Sequence, residues 1–113
     1  MNNIGYTIYC VLVNLLIDRK IGIIYKKFQF KLKLTKDTID YAQKLHETLM
    51  KKTPFKYESP YLIVPICIYT VSRISEKPKS LSEIAELSHI KEDDLRKCYD
   101  MVFEEINASM NKL

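Results

Sequence analysis

Residues 59–74 read SPYLIVPICIYTVSRI, and the character of this stretch decides the fold. From Tyr61 to Ile74 nearly every position is apolar, so a helix there is hydrophobic on all sides and must be buried on most of them. Ser59 offers an oxygen to an orphan N–H, and Pro60 is pre-organised for the first helical position, so the helix starts here. Pro65 should kink or loosen the first turns, because it lacks a donor and crowds the preceding turn. Such a helix is the central rod of a bundle, and its neighbours need one apolar face each.

Downstream, residues 75–79 (SEKPK) break the pattern. Ser80 and Glu83 stand at capping-box spacing and open a short helix, LSEIAELS, with Leu81, Ile84, Ala85 and Leu87 apolar. A tight turn through His89, Ile90 and Lys91 leads to a last helix from Glu92 to about Asn107. Its core stripe is Leu95, Tyr99, Val102, Phe103 and Ile106, and Glu92, Asp93 and Asp94 crowd the end where the helix dipole favours carboxylates. Short helix, turn and longer helix make a helix-turn-helix outline. The tail ASMNKL is expected to fray.

Upstream, Ile24, Phe28 and Leu32 recur at four-residue spacing and predict a helix over about 21–32. Thr35 reads as the N-cap of the next helix, about 36–51, with Asp37 in its first turn. Ile39, Ala42, Leu45, Leu49 and Met50 face inward in this reading; Lys36, Asp40, Lys44 and Glu47 face outward, with His46 among them. Residues 52–58 (KTPFKYE) form the linker to the central helix. The fold class is therefore all-α, five helices around one buried member. The domain reading is an apolar N-terminal extension over residues 1–20 and one helical domain over 21–113.

The extension is apolar from Ile4 to Ile17 except at Thr7 and Asn14. Fourteen residues fall short of the roughly 20 needed to span a bilayer, and Asp18, Arg19 and Lys20 interrupt the run. A basic leader and a small-residue cleavage site are both missing, so it does not read as a signal peptide. A buried helix or strand, or the remnant of a preceding domain, is the reading preferred over a membrane anchor. Left uncovered, residues 4–17 favour self-association.

Composition agrees with one soluble domain: 113 residues, 47% hydrophobic and 28% charged. Two Gly and four Pro are few for an all-β chain with many turns. Cys10, Cys67 and Cys98 are odd in number and widely spaced, which excludes a disulfide scaffold and a zinc ribbon within this chain. Cys67 and Cys98 fall in apolar helical patterns and read as small buried hydrophobes. The compartment is intracellular and reducing: a nucleus if the source is eukaryotic, otherwise cytoplasm or a viral replication site. No Gly-rich loop, nucleophile–base set or paired carboxylate appears, so the reading is of a non-enzyme without cofactor or metal. The net charge of +4 hides an asymmetry. Residues 1–56 carry eleven Lys/Arg against four Asp/Glu, and residues 57–113 carry seven against ten. The lysine clusters at 26–36 and 51–56 suit phosphates, an acidic partner surface, or simply a solvated helix face.

The ordered set Ser59-Pro60, Ile68-Tyr69, Ser72-Arg73, Pro78-Lys79-Ser80-Leu81, Glu83-Ile84-Ala85, Ile90, Leu95-Arg96 and Tyr99 resembles the core of a cyclin-like repeat of the transcription factor IIB family. Phe28, Leu32, Leu34 and the helix from Ile39 to Leu49 fit the first two helices of such a repeat. The resemblance covers about residues 21–113, one repeat where the family normally carries two. It implies a cyclin-like five-helix bundle whose last two helices read DNA, with a TATA-binding protein-like factor and RNA polymerase as partners and promoter DNA as a third. Arg96 matches an arginine that the family uses for base contact, and Lys97, Lys91 and Lys79 are the accompanying DNA-binding candidates. Asp93 and Asp94 depart from the small or apolar residues usual at that helix end, and Pro65, Ile66, Cys67 and Ile68 replace the family's small alanines.

Each of these residues has a plainer reading beside the functional one. Arg73 caps the carbonyl end of the central helix. Arg96 and Lys97 are solvated charges. Tyr69 and Tyr99 are core aromatics rather than stacking platforms for bases. Two functional classes follow: a transcription-initiation module that touches DNA, and a cyclin-like adaptor that binds protein alone.

Overall fold

A computed structural model describes residues 4–52, 58–75 and 77–111 of the chain. Five α-helices follow one another: α1 (Ile4–Leu32), α2 (Lys36–Met50), α3 (Pro60–Ser72), α4 (Leu81–Ser88) and α5 (Glu92–Asn111). The described residues contain no strand. α3 is the rod expected from its composition and packs against each of the other four helices. Ile63, Val64, Pro65, Ile66, Cys67 and Ile68 are consecutive and all buried, which one helix achieves only with neighbours around its circumference.

The capping chemistry read from the sequence forms as anticipated. Thr35 Oγ1 accepts from the Thr38 N–H at 3.2 Å, Ser59 Oγ from Tyr61 N–H at 3.2 Å, and Ser80 Oγ from Glu83 N–H at 3.1 Å. The Lys91 carbonyl accepts from Asp94 and Leu95 N–H and so opens α5. Two helices end in the left-handed region without a glycine: Lys33 after α1 (φ 54°) and His89 after α4 (φ 59°). In each case the next residue reaches back, Leu34 N–H to Gln29 O at 3.0 Å and Ile90 N–H to Ala85 O at 3.3 Å, which is the Schellman closure.

Five details differ from the sequence reading. The helix expected at 21–32 begins at Ile4, because Asp18, Arg19 and Lys20 carry charge but none of them breaks a helix. α3 runs unbroken through Pro65. The buried stretch is shorter than Tyr61–Ile74: Tyr61 is 53% exposed and Ile74, past the helix end, 85% exposed. α5 continues to Asn111, and Phe103 lies on its outer side at 50% exposure. His46, expected on the outer face of α2, is buried.

The reason for the last is visible in the spacing. Ile39, Ala42, His46 and Leu49 follow a 3-4-3 interval, one straight seam down α2, and all four are buried. Tyr25, one position after Ile24, is buried as well and meets His46 across the α1–α2 boundary. The linker expected at 52–58 lies outside the described residues from 53 to 57. The same is true of the side chains of residues 4–17, except Ile8, which is exposed.

Candidate nucleic-acid interface

α4 and α5 pack together across the turn at His89–Ile90–Lys91. Leu81 and Ile84 of α4 and Leu95, Cys98 and Val102 of α5 enter the common core, which fixes the direction of both helices. The opposite side of α5 is left to solvent. There Arg96 and Lys97 stand exposed, one turn from the Lys91 carbonyl that starts the helix. Lys91 is exposed too, so three of the four DNA-contact candidates share the turn and the first half of α5.

Arg96 has a local partner: its Nη2 lies 3.5 Å from Glu92 Oε1 one turn earlier. An exposed i,i+4 pair is worth about 0.3–0.5 kcal/mol, whereas a bidentate arginine–guanine contact is worth about 1–3 kcal/mol. A pair this exposed is weak enough for Arg96 to exchange it for another partner. The acidic character of the helix is the larger obstacle. Glu92, Asp93, Asp94, Asp100, Glu104 and Glu105 outnumber Arg96 and Lys97 six to two along α5.

Lys79, the fourth candidate, sits elsewhere. It lines a cleft of about 510 Å³ at the α1–α2 turn, with Lys33, Lys77, Thr35 and Thr38. Its backbone is clipped by Ser72, whose Oγ accepts from Lys79 N–H at 3.3 Å and donates to the Tyr69 carbonyl at 2.9 Å. Ser72 is wholly buried, a structural role the sequence reading did not assign. The structure thus adds Lys33 and Lys77 to Lys79; only the turn between α1 and α2 and the α3–α4 link bring them together. Lys27 and Lys31 of α1 border a separate groove, of about 600 Å³, that they share with Glu83, Glu86 and His89.

The aromatic residues follow the plainer reading. Tyr69 and Tyr99 meet edge-to-face at 5.0 Å between ring centres, and Tyr99 continues to Phe103 at 6.1 Å. Arg73 forms the C-cap of α3, its guanidinium 5.7 Å from the Tyr69 ring. Among the described residues no group of three or more His, Cys, Asp or Glu is placed to hold a metal ion. Nor is any described helix long and apolar enough to cross a membrane.

One polar cluster lies inside the bundle. The Tyr25 hydroxyl donates to the Ala42 carbonyl at 3.2 Å and stands 3.1 Å from His46 Nδ1. Among the described residues His46 Nε2 is buried without a partner, an arrangement that costs about 1–3 kcal/mol when a polar atom is cut off from water. Burial lowers the imidazole below its ordinary value, against a weaker upward pull from Glu47. Burial likewise pushes the Tyr25 phenol well above its ordinary range and the Cys67 thiol up to about 12.

Comparison with known proteins bears on the whole arrangement. The family profile described as "Transcription factor TFIIB repeat" matches residues 23–105, from the middle of α1 into α5. The chain is 23% identical over 83 residues to the transcription initiation factors IIB of Pyrococcus horikoshii and Pyrococcus abyssi, covering 74% of this chain and 28% of each relative. Transcription initiation factor IIB 1 of Thermococcus kodakarensis is 23% identical over 82 residues, covering 73% of this chain and 27% of its own length. The chain therefore spans little more than a quarter of the relatives it matches. No solved structure matches it significantly. With its helices in this order around a buried α3, and a profile match reaching from α1 into α5, the chain belongs to the transcription factor IIB repeat family.

Proposed function

We propose that this repeat acts in transcription initiation, holding promoter DNA together with a TATA-binding protein-like factor and offering a surface to RNA polymerase. The observation that carries the reading is the α4–α5 helix-turn-helix, whose exposed face carries Arg96 and Lys97 and which lies in a chain with the family's repeat. In this reading Arg96 meets a base edge, where its fork suits a guanine. Lys91, Lys97 and Lys79 meet phosphates, whose counterions they release on binding.

The test is a salt titration of binding to a short TATA-containing duplex, with and without TATA-binding protein. Each phosphate contact adds about −0.9 to the slope of log affinity against log salt. Arg96→Glu is expected to weaken binding at least about tenfold, equivalent to about 1.4 kcal/mol. Lys79→Glu is expected to reduce the slope by about one. Absence of salt-dependent DNA binding in both arms overturns the proposal.

A second reading is favoured by one observation, the acidic first turn of α5, where Glu92, Asp93 and Asp94 stand exposed at the end that a recognition helix presents to the groove. Carboxylates there repel phosphate, which suits a cyclin-like adaptor that binds protein alone. That reading expects capture of TATA-binding protein or polymerase without DNA, unaffected by Arg96→Glu.

A further inference from the structure

α1 carries an unanswered charge along its outer side. From Arg19 to Lys36 the chain has seven Lys and Arg and no Asp or Glu. Tyr25 and Phe28 turn into the core. The opposite side of the helix runs Arg19, Ile23, Lys26, Phe30, a 4-3-4 interval that makes one straight line. All four are exposed, Ile23 by 61% and Phe30 by 81%. Lys27 and Lys31 have Glu83 and Glu86 beside them on the α1–α4 groove. Among the described residues neither Arg19 nor Lys26 has an ion-pair partner.

α5 carries the counterpart. Its solvent side runs Asp93, Lys97, Asp100, Glu104, again exposed and again at 4-3-4 spacing. Asp93, Asp100 and Glu104 make no ion pair among the described residues. Met101 and Phe103 flank the line, 40% and 50% exposed. The two lines span the same number of residues, and each is about 16–17 Å long at the helical rise of about 1.5 Å per residue.

Laid side by side in the same direction, the two lines bring opposite charges together. Arg19 and Lys26 stand seven residues apart, and so do Asp93 and Asp100. In that register Arg19 meets Asp93 and Lys26 meets Asp100, and the stems of Lys97 and Glu104 cover Ile23 and Phe30. Within one copy the lines do not meet, since α1 packs on α2 and α3, and α5 on α3 and α4. Neither DNA nor a bilayer suits the α1 line as well. Phosphates leave Ile23 and Phe30 in water, and a bilayer that buries those two buries Arg19 and Lys26 of the same line.

We propose that copies of this chain associate head to tail, the outer line of α1 in one copy lying along the outer line of α5 in the next. The contact uses a different surface on each side, so it is heterologous. A copy that gives α1 to one neighbour keeps α5 for another, and assemblies lengthen with concentration. Opposite charge sets the register and disfavours pairing of two α1 lines, in which Arg19 and Lys26 meet only their like. Ile23 and Phe30 add apolar area that is removed from water in the contact. The inference does not rest on the DNA reading, and no DNA enters its test.

The full chain is followed by sedimentation equilibrium over a range of concentrations, at low salt and at about 0.5 M salt, where exposed charges are largely screened. The expected result is a mass that rises with concentration at low salt, with association at least about fivefold weaker at the higher salt. Lys26→Glu and Asp100→Lys are both at exposed positions away from the core. Each weakens low-salt association at least about fivefold, because a repulsion replaces an attraction. The two reversals in one chain set opposite charges against each other again, with the signs exchanged, and restore it. A monomer at every concentration overturns the proposal, and so does a double variant that associates no better than either single one. Association that survives both salt and the reversals overturns it too, and assigns the contact to residues 4–17.

Discussion

His46 is the residue whose environment has the clearest consequence for solution behaviour. Unfolded, its imidazole titrates near the ordinary 6.5; folded, burial holds it lower. As pH falls through 6.5 the unfolded chain takes up the proton first, so stability that is complete above that value is withdrawn below it. We expect the unfolding free energy to drop between pH 7.5 and 5.5 by more in the wild type than in His46→Gln, measured by urea denaturation. Parallel pH profiles in the two proteins contradict this. Ser72 is the second such residue. Its Oγ joins the end of α3 to Lys79, and Ser72→Ala leaves the Lys79 N–H without its partner. The expected cost is about 0.5–1.5 kcal/mol, read as a fall in the denaturation midpoint with unchanged slope. Both residues are small or polar and sit among aliphatic neighbours, so hydropathy alone concealed them. The 39-42-46-49 interval of α2 did hold the signal for His46.

Among the elements, the turn between α4 and α5 is the one in which backbone strain lies beside the proposed DNA contacts. His89 closes α4 in the left-handed region at φ 59°, which costs a residue with a Cβ about 1–2 kcal/mol. Glycine removes that strain and adds about 0.5–1 kcal/mol of unfolded-state entropy. His89→Gly is therefore expected to stabilise the domain by about 0.5–1 kcal/mol, raising the thermal midpoint; a lower midpoint would show that the imidazole makes a contact outweighing the strain. Helix starts were legible because Thr35, Ser59 and Ser80 each place an oxygen next to orphan N–H groups. Helix ends were less so. Neither Lys33 nor His89 is a residue that announces a left-handed cap, and the start of α1 ran through a charged triad that only looked like a boundary.

Across the whole molecule, the bundle is closed around α3 from all sides, and this protects chemistry as well as structure. Cys67 in α3 and Cys98 in α5 are both buried. Burial raises them to about 12 and about 11, with Glu58 adding to the shift at Cys98. At pH 8 only about one molecule in a thousand or fewer carries either thiolate, the reactive form. In a Cys10→Ser background, a thiol reagent is expected to label neither cysteine in the native protein and both in denaturant. Rapid native labelling would mean that α3 and α5 separate readily. One further tie spans the bundle, Lys52 Nζ to Glu105 Oε1 at 3.0 Å, joining the segment after α2 to α5. Both side chains are about one-third exposed, so the pair sets alignment more than stability.

The chain by itself determined what depends on nearest neighbours and on period. Helical class, the buried identity of α3 and the three side-chain N-caps follow from local rules, because hydrophobic spacing and capping act within a turn or two. The candidate contacts at Arg96, Lys97, Lys91 and Lys79 were named from the resemblance. Tertiary structure decided what depends on residues far apart in sequence. It turned His46 inward to Tyr25 and set Lys79 beside Lys33 and Lys77. The physical reason is that a side chain's partner across a helix boundary is fixed by how two elements dock, and no single element's pattern contains that information.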